Sequence, residues 1–364
     1  MQVLILGGYG NFGKRIAELL TGAGVAVIVA GRDSVKAGAL VKSLPPGLAE
    51  AAAFDADADL AYQLSQLRPL VVINTRGPFQ NADYGVARAC IAAGVHYIDL
   101  ADGRDFVTGI TRLDAEAKQR NVAVISGAST VPALAAAVVE HLRPGFAELD
   151  SLTCGIAPGQ KAERGLATTQ GILSYVGKPL SPCAGYSKRY GWQDLYVQSY
   201  PSIGKRWMAN CDVPDLDLLP PRYGLRRIRY SAGMENPAIH LGLWLVSWGI
   251  RIGLPIDLPR HASALLAASH WFDFTGSADG AMHLILEGKD VAGRRAMTKW
   301  FIVALEGDGP YIPTIPSVIL AKRMLAEKTF EAGAKPCVGM IALQEYLDEL
   351  KPFKIKTYEF SEPS

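Results

Sequence analysis

The sequence lacks the features that mark disulfide-stabilised proteins and cysteine-ligated metal proteins. Only five of its 364 residues are cysteines, and no two of them form a C-x-x-C pair. An odd number of scattered cysteines is typical of reduced thiols in the cytoplasm, so we expect a cytoplasmic location and no bound metal. The five are Cys90, Cys154, Cys183, Cys211 and Cys337.

The sequence also lacks a strong charge of either sign. Its 37 Lys and Arg residues nearly balance its 35 Asp and Glu residues, which gives a net charge of +2. No basic run is interleaved with aromatic residues, so we expect no nucleic-acid partner. Met1 leads directly into an apolar segment without a charged region or a cleavage site, so we also expect no signal peptide.

No apolar segment is long enough to predict a transmembrane helix. The strongest candidate, Ile239 to Leu254, is interrupted by Arg251 and falls short of the roughly 20 apolar residues that span a bilayer. A buried helix or a dimer surface is the favoured interpretation. Trp244 and Trp248, four residues apart, leave two alternatives open: the wall of an apolar substrate site, or a peripheral contact with a membrane surface.

A glycine-rich turn near the start of the chain is the strongest positive feature. Residues 2–6 form an apolar run of strand length, and residues 12–20 carry apolar side chains at helical spacing. The glycines between them follow the G-x-G-x-x-G spacing, which permits a tight turn, close approach of a pyrophosphate and close helix packing, with helix N–H groups facing the phosphate. We therefore predict a dinucleotide site formed by Gly8, Tyr9, Gly10, Asn11, Phe12 and Gly13.

The end of the second predicted strand indicates which dinucleotide is bound. An NAD site would place an acidic residue just after this strand, Val25 to Ala30, to accept a hydrogen bond from the ribose 2'-hydroxyl. The chain has Gly31 and Arg32 there instead. A guanidinium can form a charge-assisted bidentate pair with a 2'-phosphate, so NADP is the predicted cofactor. Asp33, the next residue, leaves NAD as the alternative.

Strands and helices continue to alternate as far as residue 126. This pattern predicts an α/β fold with a Rossmann-type doubly wound parallel sheet, in which ligands bind at the carboxyl ends of the strands. The loop after the fourth strand, with Thr75, Gly77 and Pro78, is therefore predicted to wrap the nicotinamide ribose, a rigid turn being an equal alternative. Asp55, after the third strand, is predicted to lie near the adenine.

The fifth predicted strand ends in candidates for catalysis. Tyr97, Asp99 and Asp102 lie in the segment HYIDLADG, at the same edge of the sheet as the glycine turn. A carboxylate at this position could donate a proton or orient a substrate amine. Asp99 could equally cap the following turn, and His96 is interpreted as structural.

The rest of the chain predicts a second domain of a different kind. Two domains are expected at 364 residues, because single cores rarely grow past about 250 to 300 residues. Residues 281–287 and 294–305 form a predicted hairpin, so we expect an α+β domain with a mostly antiparallel sheet. The aromatic segment Cys183 to Leu219 shows little periodicity and is predicted to be a functional loop or lid.

Four stretches resemble the saccharopine dehydrogenase-like oxidoreductases: GGYGNFG, NTRGPFQNADYGVARACIAAGVHYIDLADG, SGASTVPAL and EGDGPYIPTIPSVILAKRML. The resemblance covers nearly the whole chain and is most specific over residues 1–140. It implies an inserted α+β domain that often mediates dimerisation and a C-terminal segment that returns towards the first domain. We therefore expect a homodimer and divide the chain into a NAD(P)-binding domain at 1–145, a substrate and dimerisation domain at 146–310, and returning helices and a strand at 311–364.

The resemblance also implies NAD(P)-linked hydride transfer, in founding members at a carbon–nitrogen bond and in lipid-pathway relatives at a conjugated double bond. Saccharopine reductases have a Gly-Leu-Asp-Pro-Gly signature where this chain has residues Ala128 to Ala133, so an amino-dicarboxylate substrate is not expected. Arg295 and Lys299 share a strand face and are candidates for a substrate carboxylate, a solvated face being the alternative. Tyr311 lies in a turn that the resemblance implies to be near the cofactor, the alternative being a helix cap.

Together these features predict an NADP(H)-dependent oxidoreductase. We expect it to transfer hydride to or from a C=N, C=C or C=O bond of a partly apolar small molecule held between the two domains. The alternative is a non-catalytic dinucleotide-binding protein that regulates or scaffolds a partner through the tryptophan-containing helix.

Overall fold

The computed structural model describes residues 2–327 and 330–363. The chain divides into two compact units. The first comprises Met1–Leu134 and Tyr311–Ile341, and the second comprises Ala135–Pro310 and Ala342–Ser364. Each unit contains one seven-stranded sheet.

Strands and helices are numbered in chain order. Up to residue 134 they are β1 (Val3–Leu6), α1 (Asn11–Gly22), β2 (Val27–Gly31), α2 (Ser34–Ser43), β3 (Ala49–Ala53), α3 (Leu60–Leu67), β4 (Val71–Asn74), α4 (Gly85–Ala93), β5 (His96–Asp99), α5 (Arg104–Gly109), α6 (Asp114–Gln119) and β6 (Ala123–Ser126). From residue 135 to 310 they are α7 (Ala135–Leu142), β7 (Glu148–Ala157), α8 (Leu166–Tyr175), β8 (Pro179–Leu180), β9 (Arg189–Tyr190), β10 (Tyr196–Tyr200), β11 (Gly204–Asn210), α9 (Asp215–Tyr223), β12 (Arg227–Met234), α10 (Pro237–Arg251), α11 (Ala262–His270), β13 (Gly280–Lys289) and β14 (Arg295–Ala304). The last are α12 (Ile315–Ala326), β15 (Gly333–Pro336), α13 (Leu343–Leu350) and β16 (Ile355–Pro363).

The sheet of the first unit has the strand order β15-β6-β5-β4-β1-β2-β3. Every neighbouring pair in it is parallel. The order of strands reverses between β1 and β4, which is the arrangement of a doubly wound sheet. The predicted Rossmann-type α/β fold of this unit is therefore confirmed.

Strands β1 and β4, at the centre of this sheet, consist almost entirely of apolar residues because helices cover both faces. Both VLIL of β1 and VVIN of β4 are fully buried, whereas AEAAA of the edge strand β3 is largely exposed. Leu4, Ile28 and Val72 join one core with Leu64 from α3 and Cys90 from α4. Burying one such aliphatic side chain stabilises the fold by about 1.5 to 3 kcal/mol.

The sheet of the second unit has the order β10-β11-β12-β7-β13-β14-β16. The pair β12 and β7 is parallel, and the other neighbours are antiparallel. The predicted hairpin is present as β13 and β14, with Leu284 opposite Trp300. A mostly antiparallel sheet in the second domain, as predicted, is therefore confirmed.

Two expectations about the second half of the chain are wrong. Cys183 to Leu219 is not a long loop, because it contains β9, β10, β11 and the start of α9. Its strands are too short to produce a clear period, and aromatic residues such as the buried Tyr200 pack on the sheet. The last strand, β16, does not return to the first sheet but pairs with β14 in the second. The alternating sequence of β16 is compatible with either sheet, so only its backbone pairing shows to which sheet it belongs.

The apolar segment that begins near Ile239 forms α10, but it is not the buried helix favoured from the sequence. Only His240 and Ser247 of α10 are buried. Leu245 is 62% exposed and Trp248 is 41% exposed, so an apolar side of this helix faces outward. In the described part of the chain, no helix is long and apolar enough to cross a membrane.

Candidate functional site

The carboxyl ends of the first sheet bring the predicted cofactor residues to one edge. Because β1 to β5 are mutually parallel, the segments that follow them emerge on the same side. Each candidate follows a strand at this edge: Gly8 to Gly13 after β1, Arg32 after β2, Asp55 after β3, Thr75 to Pro78 after β4, and Tyr97, Asp99 and Asp102 on or after β5.

The glycines of the turn after β1 have distinct physical roles. Gly7 has a φ of +72°, which side chains rarely adopt. A Cβ on Gly8 would lie 2.9 Å from the carbonyl oxygen of Ile5, and one on Gly13 would lie 2.7 Å from Cα of Gly8. These positions therefore require glycine for the turn itself and for the packing of α1 against it.

Gly10 differs from Gly8 and Gly13 because a single close contact within the protein restricts it. Its φ is −75°, and a Cβ there would meet only the carbonyl oxygen of Gly7, at 3.1 Å. Gly10 is exposed and precedes α1, whose start has no side-chain cap. An uncapped helix start beside an open glycine is the arrangement that receives a pyrophosphate, so these residues fit a dinucleotide.

The end of β2 carries a carboxylate that caps a helix and, beside it, an exposed guanidinium. Asp33 is the N-cap of α2, and its carboxylate accepts hydrogen bonds from the backbone of Val35 and Lys36. These bonds lower the pKa of Asp33. Arg32 is exposed and makes no hydrogen bond or ion pair with any described residue. The Asp33 carboxylate is therefore occupied by the N-cap hydrogen bonds of α2, whereas the Arg32 guanidinium is available to contact a ligand.

Tyr9 contacts the residues at the end of β2, which the sequence did not indicate. Its ring lies against Gly31, where any Cβ would collide with it, and its hydroxyl accepts a hydrogen bond of 3.0 Å from the backbone N–H of Asp33. Tyr9 thus links the glycine turn to the end of β2. Gly31, the last residue of β2, leaves the space that this ring occupies.

Hydrogen bonds connect the loop after β4 to the start of the glycine turn. The hydroxyl of Thr75 donates to the carbonyl oxygens of Leu6 and Gly7, at 2.8 and 3.2 Å. Arg76, which was not among the site residues predicted from the sequence, ion-pairs with Asp57 at 2.6 Å. Its position in the NTRGPF motif was the only signal that could have singled it out. Gly77 and Pro78 continue this loop beyond Arg76.

Tyr97 and Asp99 form part of a buried network that joins three strand ends. The Asn74 amide donates to the Tyr97 hydroxyl at 3.2 Å. The Asp99 carboxylate accepts from the Ser126 hydroxyl and from the backbone of Ala101 and Gly127, at 2.8 to 3.0 Å. These partners account for the position of Asp99, and both side chains are fully buried.

Burial shifts the pKa of both ionisable groups in this network. It raises the pKa of Asp99 to about 6, although hydrogen bonds from Gly127, Ala101 and Ser126 oppose the shift. It also raises the pKa of Tyr97 well above the usual value. Asp99 therefore combines a structural role with a carboxyl group that changes charge near neutral pH.

Asp102 occupies a more accessible position than Asp99. It is half-buried, and its Oδ1 atom accepts a hydrogen bond of 3.1 Å from the amide of Gln80. Burial raises the pKa of this carboxyl. Of the two acidic candidates in HYIDLADG, Asp102 is the one that is partly exposed and whose carboxyl also has a raised pKa.

The remaining candidates lie in different places. Asp55 begins the turn to α3, where its carboxylate accepts from the backbone of Asp57. Tyr311 belongs to the first unit and packs against α1: Arg15 lies over its ring, and its hydroxyl donates to Glu18 at 2.9 Å. Tyr311 thus lies beside the helix that follows the glycine turn.

Arg295 and Lys299 belong to the second unit and lie on one face of β14, as alternation predicted. Arg295 is exposed at the start of the strand, and Lys299 is half-buried. They face different rows of the sheet, because Arg295 is opposite Lys289 and Lys299 is opposite Ile285. The structure therefore does not bring the two cations to one point.

The glycine turn, the uncapped helix and the strand order define a dinucleotide-binding Rossmann domain. Residues 3–137 match the family described as the saccharopine dehydrogenase NADP binding domain. This N-terminal domain is therefore similar to the NADP-binding domain of saccharopine dehydrogenases, as its motifs predicted. No curated protein matches the chain.

Solved structures extend the likeness in fold to the whole chain. Saccharopine dehydrogenase (L-Glu forming) from Saccharomyces cerevisiae is similar with a TM-score of 0.65 and 12% identity, over 99% of each chain. Amine dehydrogenase from Mycobacterium smegmatis is similar with a TM-score of 0.51 and 11% identity, over 93% of this chain and 94% of that one. At these identities the likeness concerns the fold.

Proposed function

We propose that this protein is an NADP(H)-dependent oxidoreductase of the saccharopine dehydrogenase-like type. The observation that carries the proposal is the open position of Gly10 at the uncapped start of α1. The turn needs Gly8 and Gly13 for its own packing, but Gly10 has space on its outer side. Apart from its one close contact with Gly7, Gly10 leaves open space of the kind that the close approach of a ligand pyrophosphate needs.

The choice of NADP over NAD rests on the end of β2. An ionised Asp33 beside a 2'-phosphate would repel it, but this carboxylate is directed to the N–H groups of α2. Arg32, without another partner among the described residues, supplies the charge that the phosphate requires. NAD remains the cofactor to be compared in every experiment.

We assign the proton donor to Asp102 rather than to Asp99 or Tyr97. A general acid must reach the reacting group and hold its proton near the working pH. Burial raises the pKa of Asp102, and the Gln80 amide orients the carboxyl through Oδ1. Asp99 and Tyr97, which are fully buried and hydrogen-bonded to residues at neighbouring strand ends, are positioning residues.

When bound, the dinucleotide would supply or accept the hydride, so the protein must position a C=N, C=C or C=O bond and manage one proton. We propose a partly apolar small molecule as the substrate class. The missing Asp-Pro-Gly signature supports this choice, because the segment Ala128 to Ala133 offers no acidic side chain for a substrate amine.

A cofactor titration followed by a turnover screen tests the proposal. NADPH fluorescence should saturate with wild-type protein and with the Gly22→Val control, because a Cβ at Gly22 meets nothing within 4 Å. It should not saturate with Gly10→Val. Oxidation of NADPH is then followed over imine, keto and enoyl substrates. Normal binding by Gly10→Val would contradict the cofactor site.

A second candidate function is a non-catalytic cofactor-binding protein that acts through its surface. The observation that favours it is the outward apolar side of α10, with Leu245 and Trp248 exposed. The same surface is where we propose that a homodimer forms. NADPH binding without oxidation of NADPH by any substrate in the screen would favour this second function.

A further inference from the structure

Two arginine side chains lie close together beside the second sheet. Cζ of Arg189 is 4.5 Å from the ring centre of Tyr186, and Cζ of Arg229 is 4.2 Å from that of Tyr196. Arg189 is only 6% exposed, and Arg229 is half-buried. Holding two guanidinium groups together away from water is unfavourable unless an anion compensates their charge.

The described residues around them supply one carboxylate. Oδ2 of Asp194 is 3.9 Å from Nε of Arg189, and the carbonyl oxygen of Asp194 accepts a hydrogen bond from Arg229. This carboxylate is 60% exposed. His283 contributes no charge near neutral pH, because burial and the charge of Arg229 lower its pKa to about 3. Two guanidinium charges thus face one solvated carboxylate.

Hydrogen bonding in this cluster is also incomplete. The Nε atoms of Arg189 and Arg229 are buried and have no hydrogen-bond partner among the described residues. Buried polar groups are normally satisfied. The backbone beside them is strained, since Trp192 and Asp194 have φ values of +60° and +56°. Such strain concentrates at ligand sites, and here it presents Asp194 to the two arginines.

The neighbouring sheet face could hold the body of a ligand. Arg229 is in register with Thr153 on β7, and Thr153 is in register with Ile285 on β13. Ile285 is opposite Lys299 on β14. These four side chains are half-buried, and three strand spacings of about 4.8 Å separate the outer two. This sheet face therefore extends from the cation of Arg229, across a small, mainly apolar surface, to the cation of Lys299.

We propose that Arg189, Arg229 and Tyr196 bind the oxyanion group, a carboxylate or a phosphate, of a small organic anion. Arg229 presents its guanidinium to the oxygens, and the Tyr196 ring fixes its plane. Arg189 adds charge from the buried side, and the body of the ligand lies on Thr153 and Ile285. This site lies wholly in the second unit and does not depend on the proposed hydride transfer.

Direct binding tests this site without any enzyme assay. In protein labelled with ¹⁵N-arginine, the Nε–H signal that disappears in Arg229→Lys identifies Arg229. Titration with sodium benzoate and, separately, with inorganic phosphate should shift this signal and saturate. Benzoate tests a carboxylate with an apolar body, and phosphate tests the bare oxyanion. Absence of a saturating shift with both probes would overturn the proposal.

Variants test which arginine carries the interaction. Arg229→Gln should weaken binding of the effective probe by about 10- to 100-fold, the effect of losing a charge-assisted hydrogen-bonded pair. Arg227→Gln is the matched control, because Arg227 is exposed on the same strand and loses the same charge. Far-UV circular dichroism establishes folding, and Arg229→Lys, which keeps the charge, should lose less affinity. Equal weakening by Arg227→Gln and Arg229→Gln would show unspecific charge attraction and refute the site. NADPH titration should be unchanged in all three variants.

Discussion

Replacing Asp99 with asparagine should change how the stability of the protein depends on pH. Three donors, from Ala101, Ser126 and Gly127, converge on one carboxylate oxygen of Asp99. Asparagine keeps an oxygen at that position and nearly the same shape. The variant should therefore retain the hydrogen bonds while losing the ability to ionise inside the first unit.

The magnitude follows from the pKa of the buried carboxyl. Burial raises the pKa of Asp99 from 3.8 to about 6, and one pKa unit corresponds to about 1.4 kcal/mol. The folded protein thus binds this proton more tightly than the unfolded chain does. As pH rises from about 4 to about 6, this group lowers the free energy of unfolding by roughly 3 kcal/mol.

Urea unfolding of both proteins between about pH 3.5 and pH 7.5 measures this effect. The free energy of unfolding of Asp99→Asn minus that of the wild type should rise by about 3 kcal/mol over this range. In Asp114→Asn the corresponding difference should change in the opposite direction, because a hydrogen bond from Lys118 lowers the pKa of Asp114. A difference for Asp99→Asn that does not vary with pH would refute the reasoning.

Three further predictions concern the cofactor, the proton donor and the oligomer. Arg32→Ala should weaken the binding of NADPH by about 10- to 150-fold, because it removes a charge-assisted pair worth about 1.5 to 3 kcal/mol. Fluorescence titrations should show nearly unchanged binding of NADH, and equal losses of affinity for both cofactors would contradict NADP specificity. Asp102→Asn should lower kcat without changing NADPH affinity, and wild-type turnover should decline as pH rises through the raised pKa of Asp102; full activity of the variant would remove this carboxyl from the mechanism. Leu245→Glu should convert a dimer to a monomer in light scattering with little loss of stability, because this side chain is already exposed; an unchanged mass would place any dimer interface elsewhere.

Much of the candidate cofactor site could be predicted because its requirements are local. Spacing alone placed Gly8 and Gly13 in a turn between a strand and a helix, and the structure shows the close contacts that require them. The choice between Arg32 and Asp33 could not be resolved in the same way. It depends on whether the carboxylate caps α2, which is a matter of side-chain orientation.

The difference between Asp99 and Asp102 was also beyond sequence reasoning. Asp99 is the last residue of β5, and Asp102 lies three residues further along the chain. Asp99 is buried because its partners Ser126 and Gly127 arrive from β6, which is 27 and 28 residues further along the chain. Nothing in the local sequence HYIDLADG indicates that β6 lies beside Asp99. The two residues were therefore equivalent candidates as long as only the sequence was considered.

The sequence by itself determined the elements whose signal lies within one segment: the apolar strands of the first sheet, their helices, and the hairpin of β13 and β14. Tertiary structure alone decided where weakly patterned strands pair. β15 joins β6 through backbone hydrogen bonds although GAKP has no strand pattern, and β16 completes the second sheet beside β14. The cluster of Arg189 and Arg229 has the same origin, since 40 positions of chain separate residues that only folding brings together. The physical reason is that backbone pairing and side-chain burial depend on partners distant in sequence, whereas turn geometry and helical spacing do not.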